Sequence, residues 1–237
     1  MIAVLDHRAP RDAALRLSEF GIEPILIPPH PMLPPPVASH PDLLFFFTQT
    51  AFYTVESYWK QEKELLQRIS RQADLELCLC EGDVGDRYPS DILLDAAPIG
   101  EKLLCAPAHT AKELLALYGN NVIPVRQGYA KCACVPIGAN ALITADPSLI
   151  RGAKSIGLDH LAVLEGHVSL PGYSTGFLGG AASFCPDLTF DTVFFCGSLS
   201  RHPNGQQIVE FCDSHQRKAV SLGEFPLTDV GTIFIIR

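Results

Sequence analysis

The 237-residue sequence has no run of basic residues: its 18 lysines and arginines are scattered among 26 acidic residues, for a net charge of −8. Without a basic patch there is nothing for a phosphate backbone or an anionic lipid surface to hold, so nucleic acid and membrane are not expected partners. Long apolar runs are missing too. Stretches such as Leu43–Phe47 are strand-sized and too short to span a bilayer. The opening MIAVLDHRAPRD is interrupted by Asp6, His7 and Arg8 after only about four apolar residues, unlike an export signal. A cytoplasmic protein is expected. In that compartment the eight cysteines, Cys78, Cys80, Cys105, Cys132, Cys134, Cys185, Cys196 and Cys212, read as reduced, mostly buried thiols. The two C-x-C pairs lack the spacing of a structural zinc site, so no metal is expected. No Walker or dinucleotide fingerprint is present, and no cofactor is expected either.

What the sequence does hold is core: 47% of residues are hydrophobic and 19% charged, enough for one large domain over residues 1–237. Five segments carry helical periodicity: Pro10–Phe20, Glu56–Ala73, Thr110–Tyr118, Pro147–Ile156 and Pro203–Ser214. Pro10, Pro147 and Pro203 suit a first turn, and Gly21, Gly119 and Gly157 suit a left-handed stop. Each helix precedes a short apolar strand: Glu23–Ile27, Leu75–Cys80, Val122–Val125, His160–Leu164 and Lys218–Leu222. A long loop follows, then two strands close in sequence, as in Asp91–Pro98 with Lys102–Ala106 and Cys132–Ile137 with Ala141–Thr144. The remaining pairs are Ala181–Cys185 with Thr192–Cys196, and Leu43–Thr48 with Phe52–Val55.

The unit of helix, strand, loop and paired strands recurs at roughly 50 residues, about five times. The fifth unit is one strand short, and the chain begins with the unpartnered Ile2–Leu5. The expectation is an α/β fold, a fivefold pseudo-symmetric β/α-propeller, whose ring is closed by the N- and C-terminal strands. The competing architecture is a doubly wound parallel sheet. It demands a crossover between successive strands, whereas the turns at Ile99–Glu101 and Gly138–Asn140 leave room only for hairpins.

The segments HPDLLFF from His40, RQGYAKC from Arg126, LPGYSTGFLGG from Leu170 and TDVGTI from Thr228 resemble those of an uncharacterised firmicute family in the pentein superfamily. That family stands near the guanidino-group-modifying enzymes. The resemblance covers nearly the whole chain and implies a fold and a site position, the central channel. It also marks a departure. Guanidino-modifying penteins carry a nucleophilic cysteine beside the final strand, and Leu227–Arg237 contains none.

Equivalent loops of a repeat ring converge on its axis. Aligned on the strand that follows each long loop, the five loops offer His40-Pro41-Asp42, Tyr88-Pro89-Ser90-Asp91, Tyr129-Ala130-Lys131-Cys132, Phe177-Leu178-Gly179-Gly180 and Thr228-Asp229-Val230-Gly231. Asp42, Asp91 and Asp229 are read as an acidic mouth for a small cationic ligand, guanidinium or amidinium above all. Locally, each is equally a turn or cap residue. Cys132 is the candidate nucleophile, with Lys131, and His40 or His202, as sources of positive field, and His40 as general acid. Strand alternation instead makes Cys132 and Cys134 two buried small hydrophobes on one face.

Gln127 and Tyr129, with Arg126, could orient a substrate carboxylate or simply support their loop. Gly179 and Gly180 belong to a glycine-rich loop that serves either as an oxyanion cradle or as a tight turn needing positive φ. Two functions remain open: a hydrolase or amidinotransferase-like enzyme acting through Cys132 on a guanidino or amidino compound, and a non-catalytic protein that binds a small ligand or another protein.

Overall fold

The computed structural model describes residues 1–237. Its first group is β1 (Ile2–Asp6), α1 (Arg11–Glu19) and β2 (Glu23–Ile27), with β1 and β2 parallel across the helix. The second opens with a short helix, α2 (Pro41–Leu44), then the antiparallel pair β3 (Phe46–Phe47) and β4 (Ala51–Val55). Helices α3 (Glu56–Gln61) and α4 (Lys63–Ala73) lead back to β5 (Glu76–Cys80), parallel to β4. The same plan builds the third group from β6 (Ala97–Ile99), β7 (Lys102–Cys105), α5 (Lys112–Tyr118) and β8 (Val122–Pro124). The fourth has β9 (Cys134–Ile137), β10 (Ala141–Thr144), α6 (Pro147–Ser155) and β11 (Asp159–Ala162). In the last, β12 (Ser183–Phe184), β13 (Thr192–Phe195), α7 (Gly205–Ser214) and β14 (Lys218–Ser221) precede the final strand β15 (Ile233–Ile236).

Antiparallel hairpins join β3 to β4, β6 to β7 and β9 to β10 as expected, whereas β12 and β13 lie in different sheets and meet only at the bridge between Ala182 and Phe195. Every helix that joins two sheet partners makes a parallel crossover. The termini pair: Ile2 faces Ile236 and Val4 faces Phe234 in an antiparallel ladder, while β12 runs parallel on the other edge of β15. The strands form five separate sheets, one of four strands, three of three and one of two. No helix is long and apolar enough to cross a membrane, and all eight cysteines are free thiols.

Local chemistry explains the boundaries. α6 starts on Pro147 behind Asp146, whose carboxylate accepts from the amides of Ser148 at 2.7 Å and Leu149 at 2.9 Å, two donors the first turn leaves unpaired. The expected single helix over Glu56–Ala73 breaks at Glu62, which lies outside helical geometry at φ −119° and ψ 33°. Three expected strands shrink, Ala181–Cys185 among them, extended only at Ser183–Phe184. Asp91–Pro98 is extended only from Ala97, because the side chains of Asp91 and Asp95 are tied to a neighbouring loop and the amide of Asp95 closes a turn on Ile92. Leu43–Thr48 begins inside α2, leaving Phe46–Phe47 as strand. Cys132 also lies outside its expected strand, which starts at Cys134, so strand alternation does not govern the Cys132 side chain.

The core between these elements is aromatic near the junction of the ends. Phe47 stacks on Phe52 with centroids 5.4 Å apart and meets Phe234 of β15 at 4.9 Å. Ile233, Phe234, Ile235 and Ile236 are all buried. Burying each such side chain contributes about 1.5–3 kcal/mol, so their sum rivals a typical total stability of about 5–15 kcal/mol. A chain ending at Thr232 is expected to lose its cooperative thermal transition, as followed by calorimetry and near-ultraviolet circular dichroism.

Candidate functional site

Five strands, β3, β6, β9, β12 and β15, are each entered from a turn carrying polar side chains, and these turns meet. Asp42 lies in α2 just before β3. Asp95 precedes β6, Lys131 and Cys132 precede β9, Gly179 and Gly180 precede β12, and Asp229 to Thr232 precede β15. All are buried; His40, Asp42, Asp95, Lys131, Cys132 and Asp229 are each no more than 4% exposed.

The hydrogen bonds define the cluster. Asp95 Oδ1 accepts from the amides of Lys131 at 2.6 Å and Cys132 at 3.2 Å, fixing the turn that presents both side chains. Asp229 accepts from the amides of Gly231 at 3.0 Å and Phe177 at 2.8 Å, and Cys132 Sγ lies 3.7 and 3.8 Å from its two oxygens. Lys131 Nζ donates to Thr232 Oγ1 at 3.0 Å, and that hydroxyl reaches Asp42 Oδ2 at 2.9 Å and the Gly179 carbonyl at 3.1 Å. The Lys131 ammonium also sits 5.6 Å over the Phe184 ring. His40 stands between two carboxylates, Nδ1 at 3.8 Å from Asp229 and Nε2 at 3.8 Å from Asp6.

Thr232 holds φ +67°, a left-handed conformation that costs a β-branched residue about 1–3 kcal/mol. The preceding Gly231, also left-handed, lies so close to His40 that an added Cβ would come within 2.3 Å of the histidine Cβ. This turn swings the Thr232 hydroxyl between Lys131 and Asp42. Gly180 is required by close approach rather than by positive φ: a Cβ there would fall 2.0 Å from Asp229 Oδ1. Its amide is already bonded to the Cys132 carbonyl at 2.8 Å, so that donor is not free to cradle an oxyanion.

The electrostatics follow from enclosure. Burial, with the Asp42 charge beside it, raises the Asp95 carboxyl well above the ordinary range despite two amide donors. Burial also raises Asp229; Asp42 adds to the shift, and His40 opposes it. The Cys132 thiol is pushed well up by burial and then by Asp229, Asp42 and Asp95, so the protonated thiol is the resting form. Cys134 is pushed up to about 12, mainly by burial. Asp6 behaves in the opposite sense: burial raises it, but the bonds from Arg8, with Ser39 and the nearby His40, together hold it low.

Of the residues singled out from sequence, His40, Asp42, Lys131, Cys132, Asp229, Gly179 and Gly180 come together. Asp91 and Tyr129 form a separate pair at 2.6 Å, and the bond to Asp91 adds to the burial that raises the tyrosine pKa. Gln127 Nε2 donates to Asp146 at 2.9 Å and its Oε1 accepts from the Tyr129 amide at 3.1 Å. Gln127 and Tyr129 line a cleft of about 330 Å³ with Arg126 and Arg151. His202 is not part of the cluster; its ring meets His167 at 5.4 Å.

Sequence reasoning missed Asp95, Thr232 and Asp6. Asp95 was legible only as a second acid four residues after Asp91, and Thr232 as the residue next to the aligned TDVG. A larger cavity of about 1150 Å³ opens at the other end of the inner strands, among turn residues such as Thr50, Gly100, Asn140 and Pro186, and includes none of the candidates.

The comparisons agree with this architecture. A dimethylarginine dimethylaminohydrolase from Pseudomonas aeruginosa, a cysteine-to-serine mutant complexed with citrulline, superposes with a TM-score of 0.55 at 9% identity over 93% of this chain and 91% of that one. A histidine-to-glycine variant of a dimethylarginine dimethylaminohydrolase, as its adduct with S-methyl-L-thiocitrulline, gives 0.54 at 9% identity over the same shares. An adduct of the enzyme with 4-chloro-2-hydroxymethylpyridine gives 0.52 at 10% identity, again over 93% and 91%. The chain thus shares the α/β fold of the dimethylarginine dimethylaminohydrolases. Within that fold the chain belongs to the family described as "Family of unknown function (DUF6873)", whose model matches residues 4–234. No protein of curated function matches it.

Because Asp95 retains its proton in the folded state beyond the range where the unfolded carboxyl loses it, its contribution favours folding at low pH. That contribution declines as pH rises from about 4 towards the raised folded value. Asp95→Asn keeps an oxygen for both amides and cannot ionise. It is expected to flatten the fall in stability with rising pH, so that its stability relative to wild type increases from pH 4 to 8, measured by urea denaturation.

Proposed function

We propose that the protein acts on a small guanidino or amidino compound as a pentein-type hydrolase with Cys132 as nucleophile. In this reading residues 1–237 form one domain, a fivefold pseudo-symmetric β/α-propeller closed by β1 and β15. The ligand sits at its axis, and the protein works in the cytoplasm. The observation that carries the reading is a charge imbalance: Asp42, Asp95 and Asp229 are buried together with one lysine, Lys131, and one histidine, His40. Asp42 Oδ1 and Asp95 Oδ2 are enclosed and have no donor. A guanidinium brings delocalised positive charge and a planar fork of N–H groups, which is what unsatisfied buried carboxylates lack.

The same cation would activate the thiol. With carboxylates alone around it, Cys132 stays protonated; a guanidinium in contact favours the thiolate. The Cys132 proton passes to Asp229, Sγ bonds to the amidine carbon, and the C–N bond to the leaving amine breaks as His40 supplies that amine with a proton. Water then adds to the thiouronium carbon, giving one proton back to His40 and one to the departed amine; the C–S bond breaks, Asp229 returns its proton to the thiolate, and the ureido product leaves. Tyr129, held by Asp91, and Gln127 border the cleft where Arg126 would take a carboxylate on the rest of the ligand.

The second reading, ligand binding without chemistry, is favoured by the burial of Cys132 among three carboxylates. The two separate on the ultraviolet titration of the thiolate, taken as wild type minus Cys132→Ser. Saturating agmatine is expected to lower the Cys132 pKa by at least about one unit; a pKa unmoved by bound ligand removes the nucleophile. In thermal shift assays with arginine, agmatine, citrulline and dimethylarginine, at least one compound is expected to stabilise the wild type and not Asp42→Ala. Silence across that panel removes the channel ligand altogether.

A further inference from the structure

The C-x-C pairs lack metal-site spacing, yet the chain brings a different donor set together from two separate segments. One ring nitrogen of His40, one carboxylate oxygen of Asp42 and the sulfur of Cys132 lie mutually within 4.8 Å, and all three residues are buried. Two further facts point to a missing occupant. His40 Nε2 and Asp42 Oδ1 are enclosed without a hydrogen-bond partner, in side chains from residues 2% and 1% exposed. Orphaned buried polar atoms of this kind are rare in folded proteins and call for an explanation.

The local cations do not supply one. Lys131 spends its ammonium on the Thr232 hydroxyl, which in turn satisfies the other oxygen of Asp42. Arg8 is committed to Asp6 and to the carbonyls of Pro35 and Pro36.

We propose that His40, Asp42 and Cys132 form a mononuclear site for a thiophilic divalent cation of the zinc type. Bonds of about 2.0–2.3 Å place tetrahedral ligand atoms roughly 3.3–3.8 Å apart, so the three donors need close by no more than about 1.5 Å. One nitrogen, one carboxylate oxygen and one thiolate select zinc, cobalt or iron over magnesium and calcium. On binding, the Cys132 proton leaves to solvent and the thiolate and Asp42 together neutralise the ion. Asp229 stays beside both Cys132 and His40, where it orients the imidazole as an outer partner. Three protein ligands leave a fourth position open, the arrangement that keeps a metal available to a bound molecule.

This site does not depend on the guanidino reading. Metal ion and organic cation draw on the same negative charge, so each is expected to displace the other.

The test uses the full chain, stripped with a chelator and titrated with Co²⁺. One equivalent is expected to produce a thiolate-to-cobalt charge-transfer band and the visible bands of a four-coordinate ion. X-ray absorption of the zinc-loaded wild type is expected to show a single sulfur among nitrogen and oxygen ligands. In folded Cys132→Ser the charge-transfer band disappears, and His40→Gln and Asp42→Asn weaken cobalt binding by at least about tenfold.

A wild type with no charge-transfer band, or with two or more sulfurs in its shell, overturns the site. So does a band that persists in folded Cys132→Ser. Should that variant fail to fold, undiminished binding by both Asp42→Asn and His40→Gln overturns it equally. Stabilisation by agmatine without any cobalt signal removes the metal alone; a cobalt signal with no response to any guanidino compound removes the guanidino reading alone.

Discussion

The pairing of Ile2–Asp6 with Ile233–Ile236 is the contact on which the rest of the site depends. It joins pieces of chain more than two hundred residues apart, and it sets the turn at Asp229–Thr232 against the segment around His40. The ladder is short, and its strength comes from burial: every residue of both strands is inaccessible, and Phe234 locks into the aromatic cluster of Phe47, Phe52 and Phe184. Closing so long a loop is entropically costly, though the cost grows only slowly with length. A strand that is paired on both edges and apolar on both faces offsets it.

Around that junction the backbone is shaped to bring unlike charges and unsatisfied atoms together. Gly180 lets Asp229 approach the chain at a distance no side chain would allow, and Gly231 does the same for His40. Thr232 accepts a left-handed conformation unusual for its type, so that one hydroxyl mediates between Lys131 and Asp42. Strain of this kind persists where the surroundings overdetermine it, and such places are commonly binding or reacting sites.

Three carboxylates enclosed with one permanent cation form an arrangement that folding alone does not favour, because each uncompensated buried charge is expensive. The protein meets part of that cost by keeping Asp95 and Asp229 protonated more readily than ordinary carboxyls. The likeness to dimethylarginine dimethylaminohydrolases establishes how the chain is wound. The function has to come from these particular side chains, since one fold serves many chemistries. Here Leu227–Arg237 holds no cysteine, and the sulfur that meets the Asp229 carboxylate arrives from the segment before β9.

The amino-acid order by itself determined the local pieces. Apolar spacing marked the long helices, though it ran α3 and α4 together across the break at Glu62; Pro147 after Asp146 announced the start of α6, and the short turns at Gly100 and Gly138 required hairpins. The recurrence of those pieces placed His40, Asp42, Cys132 and Asp229 at equivalent positions, which is why they could be named together. What tertiary structure alone decided is which neighbours each side chain meets. Asp91 looks equivalent to Asp42 in sequence yet bonds Tyr129 away from the cluster, while Asp95, four residues later, takes its place by capping two amides. Such choices depend on distances between segments far apart in the chain and on how deeply each group is enclosed. Periodicity carries neither quantity, because it reports only which face of an element is apolar.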